Sequence, residues 1–153
     1  MLTAATIEEL RARAGEELGA SEFRAVTQEQ VDGFAALTGD HQWIHTDPER
    51  ARSTPFGGTI VHGYFTVALA PVLLAEVLPL DGFAMALNYG LDKLRFPAPL
   101  PVGERVRMHV RLDDVQVIPT GGATLALTLT FEREGADKPV CVASALYRVF
   151  EAS

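Results

Sequence analysis

The stretch YFTVALAPVLLAEVLP, Tyr64 to Pro79, limits what this chain can fold into more than any other. Only Thr66, Pro71, Glu76 and Pro79 fall outside its apolar set, and the apolar residues go right round a helical wheel. A helix of that kind needs cover on nearly every side. With Pro71 and Glu76 inside it, the segment is too short to span a bilayer. Pro71 has no N–H and crowds the carbonyl four residues earlier, so a kink is expected there.

The second half of the chain supplies the cover. From Glu104 to Leu112 the pattern alternates, with Val106, Met108, Val110 and Leu112 on one face. Arg105, Arg107, His109 and Arg111 take the other face, as in a half-buried strand. The phase slips at Asp113-Asp114, which predicts a bulge. The PTGG stretch, residues 119–122, reads as a hairpin turn. Alternation resumes with Ala123, Leu125, Leu127, Leu129 and Phe131. Lys138 to Phe150 reads as a last strand covered on both faces, and Phe83 to Phe96 is mixed. A single antiparallel sheet curled around one buried helix satisfies both patterns, which makes the fold class α+β. The outer face or an edge of such a sheet invites a second copy, so a homodimer or higher homo-oligomer is expected.

The 153 residues are read as one domain, with residues 1–20 as an N-terminal helical extension that includes a short helix over Ile7 to Arg13. A strand is expected over Ser21 to Thr27. Thr27 is a good N-cap, with Gln30 at the capping-box position, for a helix over Gln28 to Leu37. Gly39 ends it as a left-handed cap. Asp40 to His45 then falls in a loop, and Thr46 to Ser53 in a further turn or short helix before the break at TPFGG.

Net charge is −7 with only two lysines, so neither nucleic acid nor an anionic membrane is an expected partner. Cys141 is the only cysteine, which leaves no internal disulfide to form. The first residues hold no apolar run of signal-peptide length, and a soluble cytoplasmic protein is expected.

Three of the four histidines, His41, His45 and His62, lie close together in the sequence. The spacing of His41 and His45 is that of a zinc-protease motif, but Gln42 stands where the glutamate belongs, and Gly39 and Pro48 crowd the segment. No metal is expected. There is no G-x-S-x-G elbow, G-x-G-x-x-G or P-loop. Cys141 reads as a small core residue rather than a nucleophile. Asp40 and His45 remain. Taken alone they fit a cap and a structural polar residue. They also fit a carboxylate and an imidazole sharing one water near neutral pH. VHGYF opens the apolar helix, where free N–H groups favour negative charge, and Gly63 has no side chain to hold an oxygen off. Together these make a site suited to carbonyl-conjugate chemistry.

FAALTGDHQWIHTDPERA followed by GGTIVHGYFTVALAPVLL resembles the MaoC-like dehydratases, the (R)-specific enoyl-CoA hydratase group. With NYGLDKLRFPAPLPVGERV, residues 88–106, the chain is most similar to the nodulation protein N-like branch. The resemblance spans roughly residues 20–150. It implies a hot-dog fold, a long central helix wrapped by an antiparallel sheet and usually dimeric. It implies reversible hydration of a 2-enoyl thioester to a 3-hydroxyacyl thioester, the (R) form, with no cofactor. The acyl carrier is coenzyme A or acyl carrier protein. Asp40 and His45 match the catalytic pair, and Gly63 the glycine whose N–H polarises the thioester carbonyl. His62 is expected to shape the turn beside the substrate. Trp43, Phe56, Tyr64, Phe65 and Tyr89 are candidates to line the acyl site and equally to be plain core. Lys93 and Arg95, with Arg105, Arg107 and Arg111, are candidates to meet the phosphates of the carrier, the alternative being that the arginines are the solvated face of the strands.

Two departures stand out. Gln42 and Trp43 occupy the places of the family's Asn-Pro, and Ala68 that of a helix serine, with Thr66 on a different face. The missing helix serine leaves open a thioester-binding or partner module without turnover; a separate rival is a hot-dog thioesterase in which Asp40 directs water at the carbonyl carbon.

Overall fold

The computed structural model describes residues 6–119 and 121–152. In chain order the elements are α1 (Ile7–Ala12), β1 (Glu17–Ala20), β2 (Arg24–Ala25), α2 (Gln28–Thr38), α3 (Trp43–Thr46) and α4 (Pro48–Ala51). Then come α5 (Gly63–Ala68), α6 (Ala70–Val77), β3 (Met85–Arg95), β4 (Arg105–Val117), β5 (Ala123–Arg133) and β6 (Cys141–Phe150). The strands form one antiparallel sheet in the order β1-β4-β5-β6-β3, with β2 also paired to β4. Helices α5 and α6 lie against the sheet, α5 touching β6 and α6 touching β4 and β1.

The alternation in the sequence is what closes this core. Val106, Met108, Val110 and Leu112 of β4 face inward with Leu125, Leu127, Leu129 and Phe131 of β5, all essentially without exposure. Each such side chain contributes about 2 kcal/mol by leaving water. The register slips between Leu112 and Asp114, the expected bulge, and lets Val115 take up the inward face. The turn between β4 and β5 has Gly121 and Gly122 at positive φ, with the Ile118 N–H bonded to the Gly122 carbonyl; Thr120 lies outside the described residues. Cys141 is fully buried at the head of β6, and burial pushes its thiol up to about 12.

The central helix is kinked where Pro71 predicts. Residue Leu69 separates α5 from α6, and Pro71 sits in the first turn of α6. Its cover differs from the expectation. Tyr64, Ala68, Pro71, Val72 and Ala75 form an exposed stripe, with Tyr64 73% exposed. A single sheet wraps only the opposite side. Beside this stripe β3 pairs with β6 alone, and Met85, Leu87, Tyr89 and Leu91 are all exposed.

Three local expectations are corrected. Of the strand foreseen over Ser21 to Thr27 only Arg24–Ala25 is strand, and a second short strand precedes it at Glu17–Ala20. Between them Ser21 bonds Met108 through both its N–H and its hydroxyl, which ends the ladder. The foreseen extension over residues 1–20 is therefore helical only over Ile7–Ala12, because Glu17–Ala20 joins the sheet; residues 1–5 lie outside the described ones. Strand β6 is buried on one face and half-buried on the other, not covered on both.

Candidate active site

The loop after α2 starts the site. Thr27 and Gln30 cap α2 reciprocally at its start, and Gly39, at φ +83°, stops it at its end. Asp40 therefore leaves the helix on a fixed turn. Its carboxylate accepts from the Gln42 N–H at 3.4 Å. The chain then makes the single turn α3, so His45 sits on a short helix rather than in the loop expected. Gln28 holds that turn from outside: its amide donates to the His45 carbonyl at 2.7 Å and accepts from the Thr59 hydroxyl at 2.6 Å.

His45 is buried, and its Nδ1 lies 2.6 Å from the Ile60 carbonyl oxygen. A carbonyl only accepts, so Nδ1 carries the proton and Nε2 is the basic nitrogen. Burial holds the His45 pKa below the ordinary histidine value; the Ile60 bond works against this, His62 with it, and Asp40 against it. His45 is thus a neutral base at neutral pH.

His62 closes the group. It is the N-cap residue of α5, 2% exposed, and its Nε2 lies 3.0 Å from the Asp40 carbonyl oxygen. Its ring stacks on that of His45 with centroids 3.9 Å apart. The Asp40 carboxylate reaches within 4.0 Å of the same Nε2 and is itself 52% exposed. Donor atoms of Asp40, His45 and His62 lie within 4.8 Å of one another. Nδ1 of His45 and Nε2 of His62 are each committed to a backbone carbonyl, which leaves one nitrogen on each ring for a metal that needs convergent ligands. The cluster fits proton handling better than ligation.

Gly63 begins α5. The first helical N–H to bond back is that of Thr66, to the His62 carbonyl, so the Gly63 N–H has no acceptor inside the helix. A Cβ at Gly63 would stand 2.8 Å from two carbons of the Phe96 ring. Glycine is what lets that ring rest there. A cavity of about 260 Å³ opens between His45, Gly63, Thr66, Phe96 and Val140.

Of the other candidate residues Phe56 also lines this cavity; those that follow stand apart from it. Trp43 lies under the Arg50 guanidinium at 4.2 Å, and Tyr64 is on the exposed stripe. Tyr89 is under Arg148 at 3.6 Å and lines a second cavity of about 500 Å³ beside Ala68. Lys93 and Arg95 are exposed on β3, with Arg95 donating to the Leu94 carbonyl. The β4 arginines are taken: Arg105 by Glu134 at 3.0 Å, Arg107 by Glu132 at 2.8 Å, and Arg111 by Asp113 and Glu17. A serine at position 68 would stand on the exposed stripe; the hydroxyl lining the His45 cavity is that of Thr66. Gln28, Ile60 and Phe96 were invisible as site residues. Only the start of a capped helix marked Gln28, and nothing marked the other two.

His45 also makes stability depend on pH. The titratable groups facing it among the described residues are His62, from the head of α5, and Asp40, from the loop after α2. Its folded pKa is depressed, so the unfolded chain binds more protons between the two values, and stability falls as pH drops through that interval. The expected result is a melting temperature that declines from pH 7 toward pH 5, ahead of general acid unfolding. A His45→Gln protein should be flatter over that range. Equal slopes in the two proteins would remove His45 as the cause.

Comparison with known proteins gives a consistent picture. The family described as MaoC like domain matches residues 9–129. The chain is 48% identical over 148 residues to 3-hydroxyacyl-thioester dehydratase Z of Mycobacterium tuberculosis, covering 97% of this chain and 98% of that protein. It is 40% identical over 144 residues to nodulation protein N of Rhizobium leguminosarum bv. viciae, covering 91% and 88%. The solved structure of a MaoC-like dehydratase from Rhodospirillum rubrum aligns with a TM-score of 0.76 over 92% of this chain and 94% of that one. At 23% identity that is a likeness of fold.

Proposed function

The chain belongs to the MaoC-like domain family, with the hot-dog fold, and on that premise we propose that it hydrates a 2-enoyl thioester reversibly to a 3-hydroxyacyl thioester. It is a hydro-lyase. The observation that supports the site assignment is the gathering of Asp40, His45 and His62 donor atoms within 4.8 Å, with His45 Nε2 and the Gly63 N–H making no hydrogen bond among the described residues.

In this reading Asp40 and His45 hold one water between them. Its oxygen bonds to C3 of the enoyl group as its proton passes to the pair. The π electrons move to C2 and the thioester oxygen, giving an enolate. The Gly63 N–H donates to that oxygen, at the positive end of the kinked central helix, and such a donor supplies about 3 kcal/mol. The pair then returns a proton to C2. Water has been added, no electrons have changed hands, one water proton stays in the new hydroxyl and side chains carry the other to C2, so the scheme needs no cofactor. Phe96 rests on Gly63 and must turn aside for the thioester to reach the N–H from that side. Its ring is 44% exposed, which leaves it room to do so.

The test is direct. Purified protein is mixed with crotonyl-CoA, and loss of the conjugated absorbance is followed with an Asp40→Asn control. Loss in the wild type alone supports the reading. Release of free thiol without that loss would make the protein a thioesterase. Ligand binding with neither change would make it a binding module.

The working unit in this reading is a homodimer. The free β3 edge carries Met85, Leu87, Tyr89 and Leu91, and the exposed stripe of the central helix lies beside it. Unpaired, flat and apolar edges are templates for another strand. The wild type should run as a dimer in light scattering after size exclusion. A Leu87→Lys, Leu91→Lys protein should run as a monomer, because lysine on an edge blocks pairing. A monomeric wild type would end this part of the reading.

A further inference from the structure

We infer that His62 is a positioning residue of this site: it clamps Asp40 by its main chain and backs His45 with its ring. The inference rests on the hydration reading above. Asp40 itself is weakly tethered. Its carboxylate is half exposed and accepts a 3.4 Å bond, and its N–H reaches Thr38 at 3.4 Å. The contact of ordinary length on this residue is its carbonyl, 3.0 Å from Nε2 of His62. Because a carbonyl only accepts, His62 donates from Nε2. His62 is in turn held from several sides. It is the N-cap residue of α5, its ring meets Phe34 of α2 at 5.0 Å, and it stacks on His45 at 3.9 Å. One buried ring therefore fixes the distance between the loop of Asp40, the turn of His45 and the head of the helix that starts with Gly63.

A second observation gives this ring its character. Nδ1 of His62 is buried and has no hydrogen-bond partner among the described residues. A side chain present only to fill space would be better apolar, since an unmet buried acceptor destabilises the fold. What the imidazole provides in exchange is the Nε2–H directed at Asp40. The two stacked rings thus hold opposite tautomers, Nδ1–H in His45 and Nε2–H in His62. His45 keeps its basic nitrogen for the water, while the proton on His62 is committed to the loop.

Two variants separate these roles. His62→Phe keeps a ring between Phe34 and His45 and removes the donor. His62→Gln keeps an N–H at about the reach of Nε2 and removes the ring. With crotonyl-CoA, His62→Phe should lose about a hundredfold in kcat with KM little changed, as expected when the reacting groups are misplaced and substrate binding is kept. His62→Gln should keep kcat within about tenfold of wild type. A folded His62→Phe protein with wild-type kcat overturns the inference, and so does a His62→Gln protein that falls as far as His62→Phe. If His62→Phe does not fold, the His62→Gln result decides by the same limits. Imidazole ¹⁵N–¹H correlation spectra of the wild type give a readout independent of turnover. They should show the Nε2–H tautomer at His62, and the Nδ1–H tautomer there overturns the inference. An inactive wild type with the stated tautomers overturns the hydration reading instead.

Discussion

An Asp40→Asn protein is expected to lose about a thousandfold in kcat for hydration of crotonyl-CoA while melting as the wild type does. The carboxylate is the only part of Asp40 that changes. Its structural tasks survive, because an amide oxygen also accepts from the Gln42 N–H, and the backbone carbonyl bonded to His62 is untouched. The side chain is half exposed, so no buried charge is stranded by the change. What is lost is a group that can take a proton from water. A loss confined to kcat, with KM little altered, is the signature of an interaction made in the transition state. A variant within about tenfold of wild type would take Asp40 out of the chemistry.

A Gly63→Ala protein is expected to lose about a hundred- to a thousandfold in kcat, the cost of losing one oxyanion donor. The backbone N–H is still present in this variant. The added methyl would meet the Phe96 ring at 2.8 Å, so one of the two must move. Phe96 is partly exposed and can swing outward, which limits the stability loss to about 1–3 kcal/mol. The methyl then occupies the approach to the N–H. A Gly63→Ala, Phe96→Ala protein separates the two effects. It should recover the melting temperature of Phe96→Ala alone but not the rate. Recovery of the rate would mean that crowding of Phe96, and not access to the N–H, limits Gly63→Ala.

The sequence was most informative where structure depends on near neighbours. Thr27, Gln30 and Gly39 frame α2 by bonds within a few residues, and those bonds are present. The alternation through β4 and β5 marked the core because the pleat has a period of two. Pro71 marked the kink by the donor it lacks. Contacts distant in sequence were not legible. The Ile60 carbonyl that sets the His45 tautomer is a backbone group with no sequence signature. The Phe96 ring over Gly63 comes from the residue just past the end of β3. The apolar wheel of the central helix gave no hint of which side one sheet would leave uncovered. Nor did the row of arginines on β4 show that glutamates across the strand pair would occupy them.

Cys141 turns the sheet into its own gauge. The chain has one thiol, fully buried, with its proton held up to about 12. Thiolate is the reactive form, so an alkylating reagent has almost nothing to attack while the sheet is intact. Labelling must wait for an opening that bares the head of β6, and its rate then follows the population of the opened state when reclosing is fast. No tag or engineered probe is needed to read how firmly the strands are held.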